Sequence, residues 1–485
     1  MTPEETHPTE GRRKLDPMRG VGYLHGSIWG RYLLCLLLAT ILVVGKRIFL
    51  EPLGGYESNR LWTFDLVQKA LALHTAERSP VAVVNISDIA KEPSINVAPA
   101  ESPDEAGATS RDALLSLFEK LAPAKPKAIA VDIDFSADSK GNPITLDDEL
   151  FFKKCLSFER KNNIPIFLGV DRHASDEPAK WLGQGFENLA GGLAIGNDRY
   201  QGRSEEMETK VDRILRMFCW TQIDGVQTSL RSLAFAAGKA ARPQPAELGP
   251  ALSWAVEAES NFDPDPALKT RGFLVDYHLI DMLDQSAVPS KSIESPVEAT
   301  DGRFGGRVIV LGAVRTVADD ERILKRTDDL FRVPGHPKLY SGVLLHGCAI
   351  DTLVRAPLRQ WTPSGRIAAD FVLTLFANSL IELLTWLSFR KRKHKRYFFR
   401  IYWSVTAFSV LLLGLIVVPF VGVIRLVWDD AFIVALALVL HTAIDHWLVR
   451  ELHKQEHEAE QTSQEPSQPQ PDDDPEVYGG EDDEP

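Results

Sequence analysis

Two scales of hydrophobic patterning divide this chain. Four long apolar runs lie at residues 28–50, 367–389, 401–424 and 431–449, and the stretch between the first two alternates in much shorter periods. The last three runs are 23, 24 and 19 residues long, which meets the roughly 20 residues a helix needs to cross bilayer hydrocarbon. The first is apolar from Tyr32 to Gly45 with Arg31, Lys46 and Arg47 at its margins, where long basic side chains reach back toward headgroups. No small-x-small cleavage site follows it, so it reads as an uncleaved anchor and not as a cleaved signal sequence. The pattern predicts four α-helical transmembrane spans.

Residues 51–366 keep a different rhythm, with short β-branched runs alternating with amphipathic segments. A helix is expected at 61–76 and a buried strand at 81–86. Ser110 stands where an N-cap belongs, ahead of a helix at 111–121, and a second strand follows at 128–133. A helix at 147–161 leads into a strand at 164–170. Two successive strand–helix–strand units place their strands in parallel. Further on, the spacing predicts a helix at 229–240, strands at 273–280 and 307–311, and a closing helix at 342–354. The Pro-, Ala- and Glu-rich stretches 87–109 and 241–267 read as surface loops. The fold class expected is an α/β exported domain with a mainly parallel sheet, joined to four spans and flanked by disordered termini.

Charge orients this arrangement. Arg12, Arg13, Lys14, Arg19 and Arg31 precede or open the first run, and the 390–400 loop between the second and third carries seven Lys or Arg and no acid. Positively charged loops stay in the cytoplasm. The N-terminal segment 1–27 is therefore expected inside, 51–366 outside, and both the basic loop and the segment 451–485 inside. The net charge of −13 is concentrated in that last segment, where thirteen acids face one base, Lys454. The other 450 residues are within one charge of neutral, and a chain so distributed is not an electrostatic nucleic-acid binder. The acidic segment nearly lacks apolar residues after Leu452 and is expected to be disordered. Its Gly-Gly-Glu-Asp run at 479–482 resembles a diguanylate cyclase signature, but thirty-five residues of this composition cannot build that enzyme. The expected location is a bacterial inner membrane, multi-pass, with lipids as direct neighbours. Cys155, Cys219 and Cys348 fall in the exported part. They are expected as buried thiols, with one disulfide as the alternative.

Several stretches of the exported part are similar to a known family. VAVVNISD resembles an opening strand that ends on an acidic turn. TSRDALLSLFEKLAPAKPKAIAVDIDF resembles an arginine-led helix followed by a turn and a second strand ending in acid. RFGGRVIVLGAV, Asp319-Asp320 and YSGVLLHGCAIDTLV resemble a late strand, an acidic loop and a closing helix that carries a histidine. Together they resemble the type 2 CHASE domain, an extracellular sensory domain associated with cyclases and histidine kinases. The resemblance implies a sensory role, three spans after the domain, and Asp320 and His346 near the same sheet edge. Two features depart from the family pattern. PSINVAPAESPDEAGAT stands in place of a tryptophan–proline–tryptophan stretch, and Val211–Arg216 matches an Asp-Gly-x-x-Arg segment without its glycine. The acidic segment occupies the place where a kinase or cyclase is usual, so signalling through a separate partner is expected.

The residues that could carry chemistry are few. Asp88, Asp132 and Asp134 fall at or just past the carboxyl ends of expected parallel strands, the edge where ligands gather in open α/β sheets. Acids there coordinate a divalent cation or accept hydrogen bonds from a cationic or hydroxylated ligand; alternatively they cap helices and tie loop amides. Within the apolar runs, Asn378 and Glu382 share a helix face, and His441 and Asp445 repeat that spacing. Such groups point into a bundle and pair, either as packing contacts or as a route for rearrangement. No phosphate-binding, zinc-protease, serine-hydrolase or Cys-x-x-Cys motif is present, so no enzyme activity, resident cofactor or metal is called for. The reading is a membrane-bound sensor for a small-molecule or envelope ligand, able to oligomerise. A metal-dependent envelope enzyme and a structural scaffold are the competing classes.

Overall fold

The computed structural model describes residues 28–45, 64–72 except 70, 78–93, 107–135, 145–170 except 146, 216–222, 229–242, 256, 272–295, 302–314, 330–355, 358–390 and 425–427, with scattered helical positions between 404 and 454. The chain forms two compact units. One comprises 43–373 with 411–434, and the other 1–42, 374–410 and 435–485. The segment 1–27, most of the loop 390–400 and the tail beyond 454 lie outside the described residues.

The first unit is built on a five-stranded sheet. Its strands are β1 (Val81–Asn85), β2 (Ala128–Val131), β3 (Ile166–Leu168), β4 (Val288–Pro289) and β5 (Val308–Gly312), in the spatial order β4-β1-β5-β2-β3. Every pairing is parallel, with Val83 and Ala130 flanking Val310 on either side. These strands read as continuous apolar runs because both faces are covered. Ala82, Val84, Ile129, Val131, Ile309 and Leu311 share one face. They pack against helices α2 (Arg111–Leu121) and α3 (Asp148–Asn162) through Leu114, Phe118, Phe151 and Phe158. Val81, Val83, Ala128, Ala130, Val308 and Val310 cover the other face. There they meet α4 (Leu233–Ala241), α5 (Ile280–Gln285) and α6 (Gly342–Arg355). A helix–sheet–helix sandwich follows from strict alternation on doubly buried strands.

Local signals agree with most of the expected elements. Ser110 accepts a hydrogen bond from the Ala113 amide at 3.4 Å and caps α2, whose first turn holds Asp112 and whose last holds Lys120. Two elements differ. Residues Ser229–Arg231 form a strand paired antiparallel with Trp220–Gln222, and the helix begins only at Leu233. The reason is Ser232, whose hydroxyl accepts from the Phe235 amide and so sets the N-cap three residues into the expected helix. The strand expected at 273–280 is confined to Gly272–Leu274, because the amides of Tyr277 and His278 donate to the side chains of Gln68 and Asp276 instead of a neighbouring strand. The excursion 87–109 contains an antiparallel pair, Lys91–Pro93 with Gly107–Thr109.

Helix α1 (Ile28–Gly45) lies in the first apolar run, and α7 (Pro363–Arg390) covers the second. Along α7, Asp370, Thr374 and Asn378 are buried polar residues at four-residue intervals. Among the described residues no helix is long and apolar enough to cross a membrane, so the structure establishes none of the four spans expected from the sequence. Cys155, Cys219 and Cys348 are buried and none forms a disulfide.

Candidate functional site

The carboxyl ends of β1, β5 and β2 stand side by side in the sheet. Asn85 closes β1, and its side-chain oxygen accepts from the backbone amides of Ser87 and Val314 at 3.1 and 3.0 Å, which pins the turns leaving β1 and β5. Gly312 closes β5. A Cβ at this position would lie 2.6 Å from a Val343 methyl carbon and 3.2 Å from the Asp132 Cβ. The absence of a side chain therefore lets the first turn of α6 come down onto the edge.

That approach brings His346 to Asp132. The Asp132 amide donates to the Leu311 carbonyl at 2.7 Å, fixing the residue at the end of β2. Its Oδ1 lies 3.6 Å from Nε2 of His346, beyond a hydrogen bond but within ion-pair range. The Asp132 side chain is 15% exposed and that of His346 1%. Burial pushes the Asp132 carboxyl up to about 7, since removal from water penalises the charged form. Near neutral pH this carboxyl therefore exists in both forms. Neutral, it donates a hydrogen bond; ionised, it accepts one or faces a cation.

The other residues singled out by sequence separate from this pair. The Asp88 carboxylate accepts from the Ser290 hydroxyl and from the Lys291 amide, so it caps the short turn at Ser290–Ser292. Asp134 is exposed just beyond β2. Asp320, His441 and Asp445 lie outside the described residues, as does the Glu382 side chain. Asn378 is fully buried, and among the described residues neither its amide nitrogen nor its oxygen has a hydrogen-bond partner. Among the described residues no group of three His, Cys, Asp or Glu is arranged to hold a metal ion. An open groove of about 930 Å³ lies between α2 and α3, lined by Asp112, Glu119, Lys125, Lys154 and Lys161 among others. Lys154 and Asp112 pair at 3.2 Å, and none of the lining residues belongs to the Asp132–His346 edge.

Arg111, the arginine that leads α2, is 1% exposed. Its Nε donates to Asp148 at 2.6 Å and its guanidinium carbon sits 4.5 Å from the centre of the Phe135 ring. This joins the starts of α2 and α3 against Phe135, a task suited to a planar, permanently charged group.

A second buried cluster carried no signal in the sequence. Asp276, with its side chain fully buried, accepts from His278 Nδ1 on one oxygen and from Arg425 Nη2 at 2.9 Å on the other. Burial alone pushes this carboxyl up, but the His278 hydrogen bond and the Arg425 guanidinium outweigh it and hold the group below the usual carboxylate range. Its partners come from 149 residues away and from the next turn of chain.

The model of one family, the CHASE2 domain, matches residues 35–384. The chain belongs to the CHASE2 family. No curated relative and no solved structure matches it. CHASE2 is a sensory domain family, which is consistent with a sensor role, and the family match runs from within α1 into α7.

Proposed function

We propose that this CHASE2 protein is a membrane-embedded extracytoplasmic sensor. It takes a hydroxylated or cationic ligand at the Asp132–His346 edge and passes the signal to a separate output protein, with a kinase or cyclase as the class of partner. The observation that carries the reading is a half-buried carboxyl beside a buried histidine at the carboxyl edge of a parallel sheet, in a domain of sensory family. A carboxyl whose ionisation is balanced near neutral pH responds strongly to a small change of environment, and a bound hydroxyl, amine or cation is such a change.

Two observations support the membrane arrangement. Large exposed apolar side chains concentrate in the four apolar runs: Leu33, Leu37 and Ile41; Val372 and Phe376; Phe408 and Leu411; and Trp447. Exposed apolar side chains concentrated in this way belong against lipid or a partner. In addition, β6 (Arg359–Gln360) pairs in parallel with β7 (Leu426–Val427). Residues 361 and 425 therefore lie on the same side of any membrane the chain crosses, which requires an even number of crossings between them. The runs 367–389 and 401–424 supply two. With the basic loop 390–400 inside, the CHASE2 domain is outside and both termini are inside.

The test is thermal unfolding of the full-length protein in lipid nanodiscs with putrescine, sorbitol or Ca²⁺, one from each ligand class. A rise in melting temperature that is present in wild type and lost in Asp132→Asn supports the site. If none of the three classes acts through Asp132, the ligand assignment falls.

A further inference from the structure

The segments that flank the expected spans on the exported side gather at one place in the CHASE2 unit. Phe64, Val67 and Leu71, from the helical stretch after the first run, pack with Leu274, Leu358 and Val427. Leu358 precedes the second run, and Val427 lies between the third and fourth. Leu426 packs with Val256 and Trp361. Above this apolar base, Gln68 accepts from the Tyr277 amide at 2.8 Å and donates to the Val275 carbonyl at 3.2 Å. Arg425 reaches into the same layer to meet Asp276.

The backbone at Arg425 has φ 55°, the left-handed region that a non-glycine residue enters at a cost. Its carbonyl accepts from the Arg359 amide at 2.7 Å. A strained residue persists where its surroundings over-determine it, and here the constraint is an ion pair with one fully buried partner together with a two-residue parallel ladder.

Helix α6 connects this base to the ligand edge. His346, near its start, faces Asp132 at the carboxyl edge. At its other end, Asp351 accepts from the Ser79 hydroxyl at 2.7 Å, just ahead of β1, so α6 runs from the carboxyl edge of the sheet to the amino edge. The neighbouring Thr352 hydroxyl oxygen accepts from the Asp276 amide at 2.9 Å. From His346 to Thr352 is six residues, about 9 Å of a single helix.

We propose that Arg425 on Asp276 is a latch through which α6 reports the state of the Asp132–His346 edge to the chain between the last two apolar runs. The proposal rests on the sensor reading and names its route. A displacement of His346 by a ligand moves α6, Thr352 shifts the Asp276 amide, and the carboxylate holding Arg425 moves with it. Arg425 is a positioning residue: it touches no ligand, and it sets where residues 425–427 are held.

Hydrogen–deuterium exchange on the full-length protein in nanodiscs tests this without a ligand. Arg425→Gln is expected to raise exchange at 425–427 and 359–361 about tenfold or more, with β5 unchanged. Asp132→Asn and His346→Gln are expected to change exchange at 425–427 about threefold, again with β5 unchanged. If Arg425→Gln fails to fold, Arg425→Lys, which keeps the charge, should show a smaller rise at the same residues. Unaltered exchange at 425–427 in the Arg425 variant that folds overturns the latch. A response to the Arg425 substitution but not to Asp132→Asn or His346→Gln reduces it to a fixed contact and overturns the transmission. Ligand-dependent melting can be absent while this coupling is present, and the reverse, so the two readings fail separately.

Discussion

At opposite ends of α6 in the CHASE2 unit, Asp132 and Asp276 each stand beside a histidine, and their ionisation is driven in opposite directions. At the carboxyl edge, Asp132 is partly buried near His346, and burial raises it to about 7. At the amino edge, Asp276 is more deeply buried yet held below the usual range, because the His278 hydrogen bond and the Arg425 guanidinium outweigh the same desolvation. The difference lies in the partners. A buried carboxylate gripped on both oxygens is locked in its charged form, whereas one facing a single imidazole at 3.6 Å is left balanced. The first arrangement suits a structural joint and the second a site that responds.

The sharpest way to break this contrast is to remove the cation. Arg425→Ala leaves the Asp276 charge without its guanidinium and is expected to destabilise the folded protein by about 3 kcal/mol, read as a fall in chemical-denaturation midpoint. An Asp276→Asn, Arg425→Ala double variant should recover part of that loss. The pH dependence separates the two sites further. Asp132, raised in the folded state, favours folding in acid. Its contribution declines as pH rises from the unfolded value near 4 through about 7 and is constant above. Asp276, lowered in the folded state, stabilises above the unfolded value and loses that contribution as pH falls through its folded one. Asp132→Asn is therefore expected to stabilise by about 4 kcal/mol more at pH 8 than at pH 4, measured by denaturant titration at both values. Gly312→Ala forces a methyl to 2.6 Å from Val343 and lifts the start of α6, at an expected 1–2 kcal/mol or roughly so. Its melting curve should lose part of the Asp132-dependent pH slope as His346 withdraws. Lys153→Ala removes an exposed pair with Glu149 and should leave both melting temperature and pH profile unchanged, which marks the floor of the series.

Much of the sheet was legible because its strands are short, β-branched and buried on both faces, so Val81–Asn85 and Val308–Gly312 stand out against their polar flanks. Asp132 was legible for the same reason, since an acid closing an apolar strand marks a carboxyl edge. His346 was reached only through family resemblance, because an isolated histidine in an apolar helix carries no spacing signal. Asp88 had the same sequence signature as Asp132 but caps a turn 202 residues away in sequence. The helix expected from 229 and the strand expected through 280 went astray where side chains, Ser232, Gln68 and Asp276, took up the backbone amides.

Periodicity by itself determined much of the alternation of strands and helices and marked the four apolar runs, because those properties depend on near neighbours along the chain. Tertiary structure alone decided which carboxyl is balanced and which is locked. Arg425 sits at the border of an apolar run and Asp276 inside a stretch expected as a strand, and only folding brings their charges to 2.9 Å in a place with little water. Ionisation follows local solvent and partners, and the order of residues along the chain encodes neither until the chain has closed on itself.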